Sequence, residues 1–495
     1  MVAVIKKNSY LCIVMTNTYG NMAKLIGRQR EIKELNACLN SDRSEFVIVY
    51  GRRRIGKTFL VNQLYQGKFD FMYTGGHHLT QKEQLQRFAD AVRQFTKSTY
   101  PPKFDNWFQA FGSLQDYLSS LPKKQKKVIF FDEMPWIDTH ASHFVKALEY
   151  FWNAWAAQRD DIFLIASGSA TSWMTDKLLK NQGGLHGRIT KQIYLEPFTL
   201  NEVELYLESR KCSWDRLQIL QAYMILGGVP FYWSLLDTTQ SLPQNVDNLF
   251  FTKNGLLHIE FDELYNTLFT PSEKYICIVK ALAEKREGMT REEISRKTQL
   301  QGNTLTRILS NLEKCDFISD FAQFGNKTKN TIYRLQDFYT MFYFHFVEDN
   351  HTKDKEWWSH NINHPTINTW QGYTFENVCL SHLSQIKSAL GISGITTSSN
   401  SWRCPTAQID LVIDRADHLI NLCEMKFCST GTYEITKEYA EKIRSKTSDF
   451  ISSTRTRKGI VSTFITTYGV RQGKNSVVAQ KEITMEDLFR ETKQS

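Results

Sequence analysis

The amino-acid sequence predicts a multidomain α/β protein: a parallel sheet carrying a phosphate-binding loop, then a helical lid, a winged helix and a second α/β domain. Three observations support this prediction. A glycine-rich loop lies between an apolar run and a helical pattern at 45–66, short amphipathic helices begin near residue 272, and strand patterns dominate after residue 372. The 495 residues are also too many for one core, since single cores rarely grow past about 250 to 300 residues.

Composition limits the class of protein. The chain is 41% hydrophobic and 23% charged, which is typical of packed domains and excludes a disordered or fibrous protein. Its net charge of +9 is a weak bias toward anionic partners. The nine cysteines include no C-x-x-C pair, so we expect free thiols, with no disulfides and no zinc. No apolar run reaches the length of a membrane span, and we expect a cytoplasmic protein.

The first element with chemical meaning is the segment VIVYGRRRIGKTFL at 47–60. A buried strand is predicted over 45–50 and a helix over 57–66, so the loop between them opens at a helix N-terminus. The spacing Gly51-x-x-x-x-Gly56-Lys57-Thr58 is that of a P-loop, whose backbone N–H groups surround a phosphate. We therefore predict that residues 51–58 bind ATP, with Lys57 at the terminal phosphates and Thr58 on Mg²⁺.

A second buried strand, KKVIFF at 126–131, ends in two carboxylates. Asp132 is expected to hold Mg²⁺ and Glu133 to act as general base for the attacking water. A third strand pattern at 161–169 ends in hydroxyl residues, where Ser167 or Ser169 would either sense the γ-phosphate or cap a helix. Both halves of an ATP-hydrolysing site are thus predicted at one sheet edge.

The variable positions of the loop hold Arg52, Arg53, Arg54 and Ile55. The arginines would face phosphate, DNA, a neighbouring domain or solvent, and the sequence leaves these alternatives open. So much positive charge is tolerable in one turn because the loop is built to hold a polyanion.

Seven segments occur in a characteristic order: IGRQREIKEL (26–35), VIVYGRRRIGKTFL (47–60), VIFFDEMPWI (128–137), LIASGSATSWM (164–174), LHGRI (185–189), LEPFTLNEV (195–203) and LGGVPFYW (226–233). Together they resemble the AAA-type ATPases of archaea and bacteria that belong to the STAND class of switch NTPases. The resemblance implies that residues 26–31 lie near the adenine, that Arg188 contacts the nucleotide, and that Gly228 and Pro230 belong to a nucleotide-sensing lid.

Residues 272–335 show the order of a winged helix. Helices are predicted over 272–286, over 290–299 with a Thr290/Glu293 capping box, and over 303–318, followed by a two-stranded wing with Gly325-Asn326 near its turn. Twelve Lys and Arg stand against eight Asp and Glu. The residues expected on or beside the exposed face of the third helix, where they could meet DNA, are Asn303, Thr304, Thr306, Arg307 and Ser310. The alternative is a domain that only couples its neighbours.

The last segment is predicted to run helix 373–389, strands 395–404, 408–414 and 419–427, helix 434–449 and strand 457–465. A turn centred on Asp417 would place Asp410 directly opposite Glu424, on the sheet face that also carries Lys426. These groups, with Glu376 from the preceding helix, could bind Mg²⁺ and activate water. The alternative is an exposed strand edge with no catalytic role.

This element order, with Asp410 and the Glu-x-Lys of Glu424 and Lys426, resembles the PD-(D/E)XK nuclease core. That restriction-endonuclease-like domain recurs at the C-terminus of the ATPase family named above. The resemblance implies Mg²⁺-dependent cleavage of nucleic acid, although Gln408-Ile409 stands where the family often has a proline. The aromatic residues at 332–347 and the pair Trp357-Trp358 are expected to be packing surface.

The predicted domains are an N-terminal extension (1–21), the ATPase core (22–197), the lid segment (198–271), the middle segment (272–335), the connector (336–371) and the C-terminal segment (372–495). Two functions remain open. One is an ATPase that drives a DNA-binding winged helix and a nuclease domain; the other is a nucleotide-gated switch whose C-terminal segment only binds nucleic acid or protein. A homo-oligomer and a protein partner for the winged helix are also compatible with the sequence.

Overall fold

The computed structural model describes residues 25–122, 125–169, 173–179, 185, 187–325 and 331–492. The predicted extension at 1–21 and the Asn326 side of the predicted wing turn lie outside these residues. Within them, no helix is long and apolar enough to cross a membrane.

The ATPase core is built on a parallel sheet, as predicted. Its strands, in chain order, are β1 (Glu45–Gly51), β2 (Phe69–Thr74), β3 (Lys127–Asp132), β4 (Ile162–Ser169) and β5 (Lys191–Leu195). Their spatial order is β2-β3-β4-β1-β5. Because β1 lies beside β4 and β4 beside β3, the loops that follow β1 and β3 open at the same carboxyl edge.

Helices cover both faces of this sheet. They are α1 (Gln29–Leu39), α2 (Lys57–Tyr65), α3 (Gln81–Thr96), α4 (Trp107–Ser120), α5 (Met134–Ile137) and α6 (Phe144–Ala154), with a 3-10 turn at Ala156–Gln158 and a π-helix at Trp173–Leu179. Alternate strand residues point to opposite sides: Phe46 packs with the α4 and α6 core, whereas Val47 packs with the α2 core. Burial on both faces explains why these strands are continuous apolar runs.

The lid segment is helical. It contains α7 (Leu200–Ser209), α8 (Arg216–Leu226), α9 (Pro230–Ser234), α10 (Leu242–Val246), a π-helix at Asp247–Phe251 and α11 (Leu256–Leu268). Gly228 lies against the backbone of Phe198, whose N–H donates to the Gly228 carbonyl at 2.7 Å. A Cβ on Gly228 would stand 2.1 Å from the Phe198 carbonyl oxygen, so glycine is required where the lid leaves α8.

The middle segment contains the three predicted helices and a small antiparallel sheet. Its elements are α12 (Glu273–Ala283), β6 (Met289–Thr290), α13 (Arg291–Thr298), α14 (Gly302–Lys314), β7 (Ile318–Phe321) and β8 (Ile332–Leu335), with sheet order β6-β8-β7. The Thr290/Glu293 capping box is present at the start of α13. The first helix ends at Ala283, earlier than predicted. A turn follows it, in which the Gly288 N–H donates to the Lys285 carbonyl and Gly288 has a φ of 83°.

The connector packs its aromatic side chains into the core, as predicted. It comprises α15 (Phe338–Phe342), a π-helix at Tyr343–Val347 and α16 (Trp357–Asn361). Phe342, Phe346 and Trp358 are buried and meet Trp370 of the next helix edge to face, with ring centroids 5.3 to 6.3 Å apart. This aromatic cluster ties the connector to the C-terminal segment.

The C-terminal segment is a second α/β unit. Its elements are α17 (Pro365–Ser381), α18 (Leu383–Ala389), β9 (Thr397–Arg403), β10 (Gln408–Arg415), β11 (Leu419–Lys426), α19 (Lys437–Thr454), β12 (Gly459–Thr466), a 3-10 turn at Ser476–Val478, β13 (Lys481–Thr484) and α20 (Met485–Leu488). The sheet order is β13-β12-β11-β10-β9. The single helix predicted over 373–389 is wrong: helix starts earlier, at Pro365, and breaks at His382, whose ring is buried against other segments.

The middle segment pairs with this second sheet at its outer strand. Gln323 bridges Ser401 of β9, and the Phe324 N–H donates to the Ser401 carbonyl at 2.8 Å. The Phe324 ring lies 5.0 Å from that of Phe450. Backbone and side-chain contacts therefore join the two segments at β9.

Candidate functional site

The P-loop connects β1 to α2 at the carboxyl edge of the sheet. Gly56 caps the N-terminus of α2 with φ of 91°, a conformation that favours glycine. Gly51 approaches the backbone of β5 so closely that a Cβ would lie 2.6 Å from the Leu195 carbonyl oxygen. Ile55 is buried beneath the loop. The local sequence thus fixes a turn whose N–H groups open at a helix N-terminus, as an anion site requires.

Lys57 is buried and its ammonium group is turned onto the loop itself. Its Nζ donates to the carbonyls of Gly51 at 3.2 Å and Arg52 at 3.0 Å. Burial lowers the pKa of Lys57, while the carboxylates of Glu133 and Asp132 oppose that shift. These weak, neutral acceptors are partners that a phosphate could replace.

Thr58, Asp132 and Ser167 form one hydrogen-bonded group. The Thr58 hydroxyl lies 2.9 and 3.1 Å from the two carboxylate oxygens of Asp132, and the Ser167 hydroxyl donates to the same carboxylate. Burial and the neighbouring Glu133 raise the pKa of Asp132 to about 6, against the opposing hydrogen bonds of Ser167 and Thr58. The predicted metal-binding pair is therefore in contact.

Glu133 follows β3 in a left-handed conformation, with φ of 47°, at the N-cap position of the short helix α5, where its side chain makes no capping hydrogen bond. Its N–H donates to the Ser167 hydroxyl at 3.3 Å. Its Oε2 atom is buried and has no hydrogen-bond partner among the described residues. A buried acceptor left without a donor costs about 1 to 3 kcal/mol, which is unusual in a structural residue.

The P-loop arginines extend away from the loop toward other segments. Arg52 pairs with Asp337 at 2.7 Å, with both side chains buried, and its guanidinium lies over the Phe317 ring. Burial disfavours the charged form of Arg52, but the charge of Asp337 favours it more strongly, so the pKa of Arg52 is raised. Arg52 therefore joins the P-loop to the N-cap of the connector helix α15.

Arg54 and Arg53 contact different surfaces. Arg54 makes two hydrogen bonds to Glu260 of α11, at 2.7 and 2.5 Å, and stacks on the Phe231 ring. Arg53 lies over the Trp136 ring at 5.7 Å. Of the alternatives left open by the sequence, a neighbouring domain is the one realised for Arg52 and Arg54.

Arg188, which the resemblance gave a nucleotide contact, lies three residues before β5, toward the amino ends of the parallel strands and away from the carboxyl edge that carries the P-loop. Arg188 is exposed, and its backbone N–H donates to the Leu185 carbonyl at 3.1 Å. Ser169 ends β4 and is buried. His186 and residues 170–172 lie outside the described residues.

The two predicted carboxylates of the C-terminal segment lie on adjacent strands in the predicted register. Leu411 pairs with Cys423, which places Asp410 opposite Glu424. Asp410 accepts a hydrogen bond from Gln408 at 2.8 Å and pairs with Arg334 of β8 at 3.1 Å. The metal-ligand candidate on β10 is thus bound by an arginine from the middle segment, a partner that sequence reasoning missed.

Glu424 is also held by protein groups. It accepts hydrogen bonds from Lys446 of α19 at 2.6 Å and from the Tyr439 hydroxyl at 2.8 Å. The Lys426 ammonium lies 5.3 Å from the centre of the Tyr439 ring. Helix α19 therefore supplies two side chains to the strand face that the sequence had assigned to Glu424 and Lys426 alone.

Glu376 of α17 lies near these groups in a largely buried position. Burial and the charge of Asp410 raise the pKa of Glu376 to about 7, partly offset by Lys426. In the described part of the chain, no three His, Cys, Asp or Glu side chains are grouped so as to hold a metal ion. Two carboxylates of the predicted set of Glu376, Asp410 and Glu424 thus carry protein partners, Arg334 on Asp410 and Lys446 on Glu424.

The parallel sheet, the P-loop at the end of β1 and the Asp132/Glu133 pair at the end of β3 define a P-loop nucleotide hydrolase. Residues 25–235, somewhat under half of the chain, match the ATPase_2 family, described as an ATPase domain predominantly from Archaea. This protein is therefore an enzyme that contains a P-loop ATPase domain.

Other comparisons extend beyond that domain. An uncharacterized protein of Methanocaldococcus jannaschii is 24% identical over 433 residues, which cover 85% of this chain and 91% of that protein. A Walker-type ATPase of Pyrococcus abyssi is similar with a TM-score of 0.49 and 18% identity, over 65% of this chain and 96% of that one. The ORC2 protein of Aeropyrum pernix, solved with ADPNP and ADP, gives a TM-score of 0.44 and 15% identity, over 64% and 91% of the two chains.

Proposed function

We propose that this ATPase is a nucleotide-gated switch, in which the P-loop transmits the state of the bound nucleotide to the lid and connector. The observation that carries the proposal is the pair of contacts Arg52–Asp337 and Arg54–Glu260. Both arginines lie between the two glycines of the loop, so a backbone that closes around phosphate must move them. A ligand shifts a conformational equilibrium only through contacts that differ between states, and we propose that these two contacts are ones that differ.

ATP hydrolysis by this site would use Mg²⁺. The Thr58 hydroxyl and the Asp132 carboxylate are hard oxygen ligands already in contact, and the nearby Glu133 Oε2 is a buried acceptor without a partner, so the residues present fit the ion. When bound, the ion would neutralise charge on the phosphates. Lys57 would hold the terminal phosphates, and Glu133 would orient and deprotonate the attacking water.

We further propose that the middle segment is a DNA-binding winged helix. A cleft of about 440 Å³ lies between α13 and the start of α14, and Arg291, Arg296 and Gln299 line it. Asn303 and Thr306 of α14 are exposed beside this cleft. Basic and amide side chains at the N-terminal half of a recognition helix are suited to phosphate and base contacts in a major groove.

The ATPase roles can be separated by two variants. Lys57→Ala should weaken ATP binding by roughly 100-fold or more, whereas Glu133→Gln should keep nucleotide affinity and lose at least roughly 100-fold in turnover. Lys68→Ala, which removes an exposed lysine just beyond α2, serves as the matched control. A Glu133→Gln enzyme that hydrolyses ATP at the wild-type rate would refute the assigned base.

The switch itself is tested by hydrogen exchange at α11 and α15 in the presence of ADP and of a non-hydrolysable ATP analogue. We expect the two nucleotides to give different protection at these helices, and Glu260→Gln to reduce the difference at α11. Identical exchange with both nucleotides, at concentrations that saturate the site, would refute the proposal.

Cleavage of DNA by the C-terminal segment is the second candidate. It is favoured by Asp410 opposite Glu424 with Lys426 two residues on, and opposed by the pairing of both carboxylates with protein cations. Plasmid nicking with Mg²⁺ and ATP, compared between the wild type, Lys426→Ala and the exposed control Lys442→Ala, decides it. If ATP turns over and no plasmid is cut, the segment acts in binding alone.

A further inference from the structure

A cavity of about 320 Å³ lies between the catalytic edge of the ATPase core and the middle segment. The ATPase side contributes His77, Glu133, Pro135, Trp136, Ser169 and Trp173, and the opposite side contributes residues 267–270, Tyr275, Arg307 and Asn311. The cavity has room for several water molecules, each of which takes about 30 Å³ in the liquid. The proposed general base, the end of β4 and helix α14 thus line the same cavity.

Two groups that face this cavity lack partners of their own. Glu133 Oε2 is the buried acceptor described above. Arg307 is exposed on α14, and its guanidinium makes no hydrogen bond or ion pair within the described ranges. A cation and an unsatisfied carboxylate oxygen that line the same cavity are suited to a ligand that is both anionic and hydrated.

The backbone that carries Arg307 is fixed, although its guanidinium is free. Ile308, Leu309 and Leu312 are buried in the core of the middle segment. One turn further on, the buried Asn311 donates to the Tyr275 hydroxyl at 2.8 Å, inside the same cavity. Arg307 is therefore directed at the cavity by a rigid helix, as preorganised charge stabilisation requires.

Arginines closer to the P-loop are already engaged. Arg52 and Arg54 are committed to Asp337 and Glu260, and Arg53 lies over Trp136. The middle segment is held close to the loop, because Arg52 stacks on Phe317 just after α14. Among the residues that line the cavity, Arg307 is the arginine, so it is the one placed to meet a terminal phosphate from the cavity side.

We propose that Arg307 is a catalytic residue of ATP hydrolysis, supplied by the middle segment of the same chain. Water loses a proton to Glu133 as its oxygen bonds to the γ-phosphorus, and the bond from that phosphorus to the bridging oxygen breaks, with the electron pair leaving on ADP. The Arg307 guanidinium stabilises the charge on the γ-phosphate oxygens during this transfer. Hydrolysis then requires the middle segment to be seated on the ATPase core.

The test compares Arg307→Ala and Arg307→Lys with Arg286→Ala, which removes an exposed arginine of the same segment that lies away from the cavity. Without DNA, Arg307→Ala should lose at least roughly 100-fold in kcat while ATP affinity changes less than about threefold. Arg307→Lys should recover only part of the rate, because an ammonium group cannot make the planar, two-pronged contact. Arg286→Ala should behave as the wild type.

A second readout does not depend on turnover. The affinity for ADP with aluminium fluoride, a mimic of the transferring phosphoryl group, should fall in Arg307→Ala, while the affinity for ADP alone should not. Loss of the mimic's affinity only in Glu133→Gln would retain the ATPase assignment and overturn the role of Arg307. Wild-type turnover in Arg307→Ala, with or without weaker DNA binding, would likewise overturn it.

Discussion

Replacement of Asp337 by asparagine isolates the charge of the contact between the P-loop and the connector. Arg52 Nη1 lies 2.7 Å from Asp337 Oδ1, and the two side chains are only 4% and 2% exposed. Asp337 also caps α15, where its Oδ2 accepts from the Thr340 N–H at 3.1 Å. Asparagine is an equally good N-cap residue, so Asp337→Asn retains the cap and removes the counter-charge.

The size of the effect follows from the burial of Arg52. Its Nε and Nη2 atoms already lack hydrogen-bond partners among the described residues, so no other acceptor there can pair with the guanidinium once the Asp337 charge is removed. Removing one partner of a buried ion pair costs about 3 to 5 kcal/mol, and the lower end applies here because the asparagine Oδ1 can still accept a hydrogen bond from the guanidinium. We expect Asp337→Asn to lower the free energy of unfolding by about 3 kcal/mol.

The assay is urea unfolding followed by tryptophan fluorescence, with Glu434→Gln as the control. Glu434 pairs with Arg471 at 3.1 Å, but these side chains are 68% and 67% exposed, so its loss should cost less than about 0.5 kcal/mol. The double variant Arg52→Gln/Asp337→Asn should be more stable than Asp337→Asn, because it removes the unpaired charge. Equal stability of Asp337→Asn and Glu434→Gln would refute the reasoning.

Two further predictions concern the lid and the histidine that packs against it. Burial lowers the pKa of His382 to about 4, so protonation favours the unfolded chain. The stabilising contribution should be complete above about pH 6.5, and the free energy of unfolding should fall by about 2 kcal/mol by about pH 5. In urea unfolding at several pH values, His382→Gln should lose this dependence. Gly228→Ala should destabilise the protein by about 1 to 3 kcal/mol, because the added Cβ meets the Phe198 carbonyl. Its control is Gly112→Ala, in helix α4, where the added Cβ has no atom within 4 Å. That variant should be more stable by about 0.5 to 1 kcal/mol, because alanine is favoured over glycine inside a helix. Matching thermal stabilities of the two alanine variants would contradict this account.

Local patterns were sufficient to predict the catalytic edge of the ATPase core. The apolar runs that became β1, β3 and β4 are buried on both faces, and a strand with no exposed face has a distinctive composition. The contact between Thr58 and Asp132 followed from two strand ends that meet at one edge. The opposition of Asp410 and Glu424 followed from the symmetry of a hairpin about its turn.

The contacts between segments could not be predicted in this way. Arg52 and Asp337, Arg54 and Glu260, and Arg334 and Asp410 are far apart in the sequence, and each pair depends on how whole domains pack. Hydrophobic periodicity reports the face that an element buries, but it carries no information on which distant element covers that face. For the same reason, periodicity could not predict the helix break at His382, where the ring packs against the lid and accepts a hydrogen bond from the Leu200 N–H.

The bridge between Gln323 and Ser401 has a practical consequence for work on the C-terminal segment by itself. Strand β9 is the outer strand of its sheet, and the chain around Phe324 shields both its backbone and the aromatic rings of Trp402 and Phe450. A fragment that begins at residue 372 would present this strand and its apolar neighbours to other molecules, which invites strand-to-strand self-association. Fragments for biochemical study should therefore begin before α12, so that they include the residues around Phe324 that cover β9.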